Sequence, residues 1–124
     1  MKQIRAGIDI IEINRVREAI AAWGERFLRR IYTDLELENY RGDLHSLAAR
    51  FAGKEAVIKA LSTPGASIRW QEIEILSETG GRPLVRLHGR AQAQARMLGI
   101  QALEISLSHS KENAIALVIG TGEG

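Results

Sequence analysis

The stretch Arg50-Phe-Ala-Gly-Lys-Glu-Ala-Val-Ile-Lys-Ala-Leu61 decides the fold, because it indicates the second half of an amphipathic helix that begins near Leu44. At about 100° per residue, the apolar side chains of this helix fall within one sector of roughly 100°. They are Leu44, Leu47, Ala48, Phe51 and Ile58. Glu55 falls inside the same sector, so the apolar stripe of the helix carries a charge.

Glu55 needs an explanation, because an unpaired buried carboxylate costs several kcal/mol. Lys59 is the local partner, but a Glu-to-Lys pair at this spacing contributes only about 0.2–0.5 kcal/mol. Two interpretations remain open from the residues alone. Glu55 is either a structural partner of Lys59 or a carboxylate that meets another cation, a hydrogen-bond network or a solvent cleft.

The length and composition bound the class of protein. With 124 residues and no cysteine, the chain can bury a core without disulfides or thiolate-bound zinc, and we expect one domain over residues 1–124. It shows no signal peptide and no apolar run of about 18 residues, so we expect a cytoplasmic protein that does not enter a membrane. Two residues each of Trp, Tyr and Phe give little support for nucleic-acid binding by base stacking.

Arginine dominates the basic residues. The formal net charge is only +2, but thirteen of the seventeen basic residues are arginine. Five of them share one segment: Arg15, Arg17, Arg26, Arg29 and Arg30. Because the guanidinium fork grips carboxylates and phosphates, we expect an acidic or phosphorylated partner, although a solvated basic face fits each residue equally well.

The N-terminal segment predicts a strand followed by a helix. Alternation over residues 4–10 predicts a half-buried strand with Ile4, Ala6, Ile8 and Ile10 on its apolar face. The pattern Asp9-x-x-Glu12 then precedes a helical repeat that Gly24 ends. From Asp9 alone, the favoured interpretation is an N-cap of that helix.

The rest of the chain predicts an α+β fold with an antiparallel sheet packed against a long central helix. Thr33-x-x-Glu36 starts a short helix, and Ser62-Thr-Pro-Gly65 ends the long one. A hairpin follows near residues 73–87, then a helix over residues 89–98. The tail predicts a second hairpin in which His109 continues the apolar face of its strand.

Three residues stand against their local pattern: Asp9 at a strand end, Glu55 on the apolar stripe and His109 at another strand end. For His109 alone, a buried histidine with a satisfied hydrogen bond is the favoured interpretation. Together the three suggest one site, since two carboxylates with open coordination suit Mg²⁺. Basic residues could complete a phosphate pocket there, and the glycine turn after the long helix could approach a pyrophosphate. These residues are Arg50, Lys54, Lys59 and His109.

Four stretches then carry a specific resemblance. They are Gly7-Ile-Asp-Ile-Ile-Glu12, Arg30-Ile-Tyr-Thr-Asp-Leu-Glu36, Arg50-Phe-Ala-Gly-Lys-Glu-Ala-Val-Ile-Lys-Ala60 and Ser106-Leu-Ser-His-Ser-Lys-Glu112. In order and spacing they resemble the motifs of the holo-acyl-carrier-protein synthases, small members of the 4′-phosphopantetheinyl transferase superfamily. The resemblance covers nearly the whole chain.

The resemblance implies transfer of 4′-phosphopantetheine from coenzyme A to a serine of apo-acyl-carrier protein, with release of 3′,5′-ADP, in fatty acid biosynthesis. It implies that Asp9 and Glu55 bind Mg²⁺ and that Lys59 contacts the coenzyme phosphates. It places His109 on the nucleotide side of the pocket and Arg15 against the acidic helix of the carrier protein. It also implies a homotrimer with active sites shared between neighbours.

Further coenzyme contacts are implied more weakly. Arg50 and Lys54 are candidate phosphate contacts. Thr63 and Gly65 match a turn after the long helix that in the family usually has the sequence Gly-Ser/Thr-Gly and lines the coenzyme. Here Pro64 interrupts that turn, and the basic residues expected just before the long helix are few. The alternative from another class is a non-catalytic module that docks acidic carrier proteins through the arginine-rich face.

Overall fold

Five α-helices, one 3-10 turn and five strands make up residues 2–123, the part of the chain that this computed structural model describes. In chain order they are β1 Lys2–Glu12, α1 Ile13–Trp23, α2 Glu25–Ile31, α3 Asp34–Tyr40, α4 Leu44–Leu61, the 3-10 turn Trp70–Glu72, β2 Ile73–Ser77, β3 Pro83–Leu87, α5 Gly89–Met97, β4 Ile100–His109 and β5 Asn113–Glu123. Met1 and Gly124, which belong to the expected domain, lie outside the described residues.

The strands form two antiparallel sheets. The larger has the order β1-β5-β4, and β2 and β3 form a separate hairpin. β1 pairs with β5 along its whole length, from Lys2 opposite Glu123 to Glu12 opposite Asn113. Helix α4 packs against β1, β5, β4 and β2, so the expected α+β fold with a central helix is confirmed.

Helix α4 begins where its sequence predicts. The Asp43 side chain caps it by accepting a 3.1 Å hydrogen bond from the backbone N–H of Ser46. The helix is not amphipathic, however, because it is buried on most of its surface. Ala, Gly and two charged residues account for much of that buried surface, while Phe51, Glu55 and Ile58 on the predicted stripe are only half-buried. Leu47 and Ala48 of the same stripe are buried, so the predicted stripe is divided between the core and the less covered side of the helix.

The two faces of β1 are the reverse of the prediction. Ile4, Ile8 and Ile10 are 70%, 60% and 61% exposed, whereas Gly7 is buried and Asp9 is half-buried against α4. Gly7 explains the reversal, because a Cβ at this position would lie 1.9 Å from the carbonyl oxygen of Ala56. The strand thus turns its residue without a side chain toward α4 and its isoleucines outward.

Local capping signals give mixed outcomes. The Thr33–Glu36 capping box is confirmed, with the Thr33 hydroxyl accepting from the Glu36 N–H at 3.2 Å and the Glu36 carboxylate accepting from the Thr33 N–H at 2.8 Å. The capping interpretation of Asp9 is wrong, because Asp9 lies inside β1 opposite Ala116 and Glu12 precedes α1. Within residues 2–123, no helix combines the length and apolar character needed to span a bilayer.

Candidate active site

A cavity of about 540 Å³ brings Asp9 and Glu55 together. Strand β1, the start of α1, the exposed side of α4 and the start of β5 form its walls. The lining residues are Asp9, Ile10, Ile11, Glu12, Arg15, Phe51, Glu55 and Asn113. The two carboxylates that stood against their local patterns therefore share one opening, as the sequence suggested.

Lys59 forms an ion pair with Asp9 and not with Glu55. Its ammonium nitrogen lies 3.1 Å from Oδ1 of Asp9 and donates a 3.0 Å hydrogen bond to the backbone carbonyl of Ile8. The Lys59 side chain is 55% exposed, whereas that of Asp9 is 18% exposed. The interpretation of Glu55 as a structural partner of Lys59 is therefore wrong, and Lys59 presents an exposed positive charge beside Asp9.

Glu55 accepts a hydrogen bond from a residue that no sequence pattern indicated. The indole Nε1–H of Trp70 donates to Oε1 of Glu55 at 2.8 Å. The Trp70 ring stacks on Phe51, with 6.2 Å between ring centroids and 27° between planes. Trp70 lies fifteen positions after Glu55, and the 3-10 turn that it begins has no periodicity that would predict the contact.

The donor set of this cavity fits Mg²⁺. Within residues 2–123, no cluster of three or more His, Cys, Asp and Glu side chains could hold a metal ion by itself. Magnesium does not need such a cluster, because it is held by one or two carboxylates together with waters and substrate phosphates. Asp9 and Glu55 are two hard carboxylates on the wall of one cavity of about 540 Å³, so together with waters and substrate phosphates they could hold the ion.

His109 lies in a different cavity of the same chain. This cavity, of about 200 Å³, lies between α4, the β2–β3 hairpin and the end of β4, and both His109 and Arg50 line it. His109 is exposed and lies 5.3 Å, between ring centroids, from His45. Both the expectation of a buried His109 and its convergence with Asp9 and Glu55 within one chain are therefore wrong.

Arg50 is held in place by the protein. Its guanidinium donates to the carbonyl of Ile75 at 3.1 Å and to the hydroxyls of Tyr40 and Ser77, each at 2.9 Å. It also lies 3.7 Å from the centre of the Tyr40 ring. The residue is nearly buried yet lines the cavity of His109, so it presents a fixed positive charge there.

Lys54 is a structural residue, which corrects its assignment as a phosphate contact. It is 0% exposed and pairs at 2.7 Å with the equally buried Glu36. Its ammonium also donates to the carbonyls of Trp70 and Ile73. Burial lowers the pKa of this ammonium, and the charge of Glu36 opposes the shift. With all its donors used inside the protein, Lys54 cannot reach a ligand phosphate in this structure.

The remaining candidates lie at the edges of the site. Arg15 is exposed, lines the cavity of Asp9 and Glu55, and lies 3.6 Å from Glu12. Thr63 lies in the loop after α4, where its hydroxyl accepts a 2.8 Å hydrogen bond from the Gln94 side chain. Gly65 in the same loop has a φ of 84°, which suits glycine. Neither loop residue lines the cavity of Asp9 and Glu55.

The chain is similar to known proteins over most of its length. The profile of the 4′-phosphopantetheinyl transferase superfamily matches residues 5–118. The holo-[acyl-carrier-protein] synthase of Dehalococcoides mccartyi strain 195 is 54% identical over 113 residues, covering 91% of this chain and 94% of that protein. The holo-[acyl-carrier-protein] synthase of Herpetosiphon aurantiacus is 47% identical over 123 residues, covering 94% of this chain and 97% of that protein.

A solved structure extends the likeness to three dimensions. The Helicobacter pylori holo-[acyl-carrier-protein] synthase, solved in complex with coenzyme A, superposes with a TM-score of 0.82 at 31% identity. The match covers 93% of this chain and 98% of that one. The chain belongs to the 4′-phosphopantetheinyl transferase superfamily.

Proposed function

We propose that this protein is a holo-[acyl-carrier-protein] synthase, an enzyme that transfers 4′-phosphopantetheine from coenzyme A to a serine of apo-acyl-carrier protein. The observation that carries the proposal is the placement of Asp9 and Glu55 on the wall of one cavity, with Lys59 paired to Asp9. The relatives named holo-[acyl-carrier-protein] synthase cover more than nine-tenths of the chain, which supports assigning the whole reaction to residues 1–124.

The reaction breaks one phosphorus–oxygen bond and forms another. The serine oxygen attacks the phosphorus that carries the pantetheine arm, the bond to the second phosphate of the pyrophosphate breaks, and 3′,5′-ADP leaves with the electron pair. The serine proton passes to solvent or to a carboxylate such as Glu55. The protein supplies positioning and charge complementarity, which carry most of the rate in transfers of this kind.

Asp9 and Glu55 would hold Mg²⁺, which supplies charge stabilisation to the reacting phosphates when bound. Lys59 lies against Asp9 on a flexible stem, so its ammonium can turn from Asp9 toward a coenzyme phosphate without moving the backbone. Asp9 is anchored in a strand that is paired along its length, which keeps its carboxylate in place during that exchange.

Arg15 lies where the carrier protein would arrive. It is exposed at the opening of the cavity, on the helix that also carries Arg17. An acidic carrier surface would be steered toward these arginines before its serine reaches the cavity. Single exposed ion pairs contribute only about 0–1 kcal/mol each, and dissolved salt screens them. Carrier binding should therefore weaken strongly as the salt concentration rises.

We further propose a homotrimer, which would explain why His109 and Arg50 line a second cavity. The outer face of the three-stranded sheet is apolar: Ile8 lies opposite Leu117, and Ile10 opposite Ile115, and all four are exposed. Exposed apolar patches of this kind mark interaction sites. Ile8 and Ile10 flank Asp9 in β1, so a second copy on this face would bring its own coenzyme contacts close to the carboxylates. His109 and Arg50 are the proposed contacts, with Thr63 and Gly65 in the loop after α4.

Mass spectrometry tests the activity. Apo-acyl-carrier protein incubated with this protein, coenzyme A and Mg²⁺ should gain the mass of phosphopantetheine. Glu55→Ala should lower the rate by about 100-fold or more while leaving the fold intact. Glu38→Ala, which removes an exposed carboxylate of α3 away from the cavity lining, is the matched control and should retain activity. Transfer at a near-normal rate by Glu55→Ala would sink the proposal.

Sedimentation equilibrium tests the trimer. The unmodified protein should sediment as three chains, and Ile8→Lys should dissociate it, because a charge at the centre of an apolar interface is costly. The dissociated variant should retain its circular dichroism spectrum but lose transfer. A fully active monomer would rule out a shared site.

We also propose that the reaction takes place in the cytoplasm and serves fatty acid synthesis, as the resemblance to the holo-acyl-carrier-protein synthases implies.

A further inference from the structure

We propose that Trp70 is a positioning residue for Glu55, so that its indole N–H fixes the carboxylate that receives the metal. This inference rests on the proposed function, because it concerns the same pair of carboxylates. The observation is the 2.8 Å hydrogen bond from Nε1 of Trp70 to Oε1 of Glu55 at the wall of the cavity.

Glu55 needs such support because of where it lies. A glutamate side chain has three rotatable bonds, and Glu55 is only half-buried on α4, so packing restricts it less than it restricts a core side chain. Lys59, the cation one helical turn further on, is paired with Asp9, and the adjacent Lys54 is paired with Glu36. The indole N–H is a donor with no acceptor capacity, so it orients one carboxylate oxygen without competing for a metal ion. The second oxygen remains available as a ligand.

The backbone that carries Trp70 is itself fixed from inside the protein. The buried ammonium of Lys54 donates to the carbonyl oxygen of Trp70 at 3.1 Å and also to that of Ile73, at the two ends of the 3-10 turn. Lys54 is held by Glu36 at 2.7 Å. The buried Glu36–Lys54 ion pair therefore fixes the position of the 3-10 turn relative to α4.

Phe51 also holds the ring of Trp70 in place. It lines the cavity and stacks on the indole ring. Glu55 lies one helical turn after Phe51, so the aromatic stack and the carboxylate share one side of α4. Together these contacts connect the core pair Glu36–Lys54, through the Trp70 turn, to the carboxylate in the cavity. The arrangement matches the general rule that groups hydrogen-bonded to metal ligands orient them, and that removing such groups weakens metal affinity by about 10–100-fold.

The test replaces only the hydrogen-bond donor. Trp70→Phe keeps an aromatic ring against Phe51 and removes the N–H. Binding of Mn²⁺ to the free protein, measured by electron paramagnetic resonance, should weaken by about 10–100-fold. Trp23→Phe is the matched control, because that indole is 61% exposed and lies beside Arg26, and the Mn²⁺ affinity should not change.

A kinetic readout separates positioning from a purely structural role. In Trp70→Phe the Mg²⁺ concentration for half-maximal transfer should rise by the same 10–100-fold, while the rate at saturating Mg²⁺ recovers to within a few-fold of normal. A structural role would lower the unfolding temperature without moving that concentration. If Trp70→Phe does not fold, the sulfur isostere of tryptophan, incorporated at position 70 of the Trp23→Phe protein, keeps the shape and lacks the donor.

The outcomes distinguish this inference from the proposed function. If Glu55→Gln abolishes Mn²⁺ binding and Trp70→Phe leaves it within two-fold of normal, the metal site stands and the role of Trp70 is overturned. If the unaltered protein binds no Mn²⁺ and transfers without divalent cations, the metal site and the role of Trp70 both fall. A 10–100-fold loss confined to the Trp70 variants supports the inference.

Discussion

Gly7→Ala should force β1 away from α4 and displace Asp9. A Cβ at position 7 would lie 1.9 Å from the carbonyl oxygen of Ala56 and 2.9 Å from the backbone nitrogen of Ala60. Both are backbone atoms of a helix that is buried on most of its surface, so neither can swing aside. The only relief is to move the strand relative to the helix.

The size of the effect follows from that gap. Close carbon–oxygen contacts between backbones lie at about 3.3–3.6 Å, so the strand must retreat by roughly 1.4 Å or more. Overpacking of this kind lowers the free energy of unfolding by about 1–3 kcal/mol. We expect about 2–3 kcal/mol, because the obstacle is backbone, which corresponds to a fall of roughly 6–15 °C in unfolding temperature.

The displacement should also reach the reaction. Asp9 follows Gly7 by two residues and points to the same face of β1, so any retreat at Gly7 moves the Asp9 carboxylate away from Glu55. A misplacement of about 1 Å can lower a rate by about 100-fold. Transfer should be measured below the unfolding temperature of the variant, so that the loss reports geometry rather than unfolding.

Gly120→Ala is the matched control for Gly7→Ala. A Cβ at position 120 would first meet Cδ2 of Leu103 at 3.1 Å and Cγ2 of Ile100 at 3.3 Å, both on side chains. Because side chains can shift, unfolding by urea should give a change within about 1 kcal/mol. If Gly7→Ala is as stable and as active as Gly120→Ala, then close packing of β1 on α4 does not position Asp9, and the reasoning is refuted.

Two further substitutions test the core and the start of α4. Lys54→Met should lower the free energy of unfolding by about 3–5 kcal/mol, because it leaves the buried Glu36 carboxylate without its cation; urea unfolding checks this, and a loss under about 1 kcal/mol would contradict it. Asp43→Ala should lower stability by about 1 kcal/mol at neutral pH by removing the cap of α4. Hydrogen bonds from Ser46 hold the pKa of Asp43 below its ordinary value of 3.8, so this contribution is present above pH 3.8 and is lost as pH falls through the lowered pKa. Thermal unfolding of both proteins from pH 7 to pH 3 should therefore show their difference shrinking at the acid end, and a constant difference would argue against a charged cap.

The sequence predicted elements well where the signal is local. The capping box at Thr33 and Glu36 and the break at Ser62–Gly65 depend on neighbours along the chain, and the structure contains both. Helix α2 was missed, because its seven residues offer too short a pattern for periodicity to separate it from the arginine-rich surface around it. The function was accessible because whole motifs, and not single residues, carried the resemblance.

The faces of the elements were less accessible, since periodicity separates two faces without saying which one is covered. In β1 the apolar face is outside, because Gly7 is the residue that admits α4, and the pattern of isoleucines cannot show that. The proposed trimer gives those isoleucines a purpose that a single chain does not. A half-buried strand can therefore bury its apolar face against another copy of the same protein.

Lys54 and Glu55 show most clearly that the sequence does not reveal which face of an element is covered. They are adjacent on α4, so they point about 100° apart, and both are charged. Lys54 is completely buried on the side of α4 that faces β2. Glu55 lines the cavity beside β1 and is only half-buried. Nothing in the local sequence separates a charge that the core must pair from a charge that a ligand can reach. Only the neighbours of the helix decide it: Glu36 neutralises Lys54, and the backbone that Lys54 holds presents Trp70 to Glu55. The residue assigned wrongly as a phosphate contact thus contributes to the site by supporting one of its carboxylates.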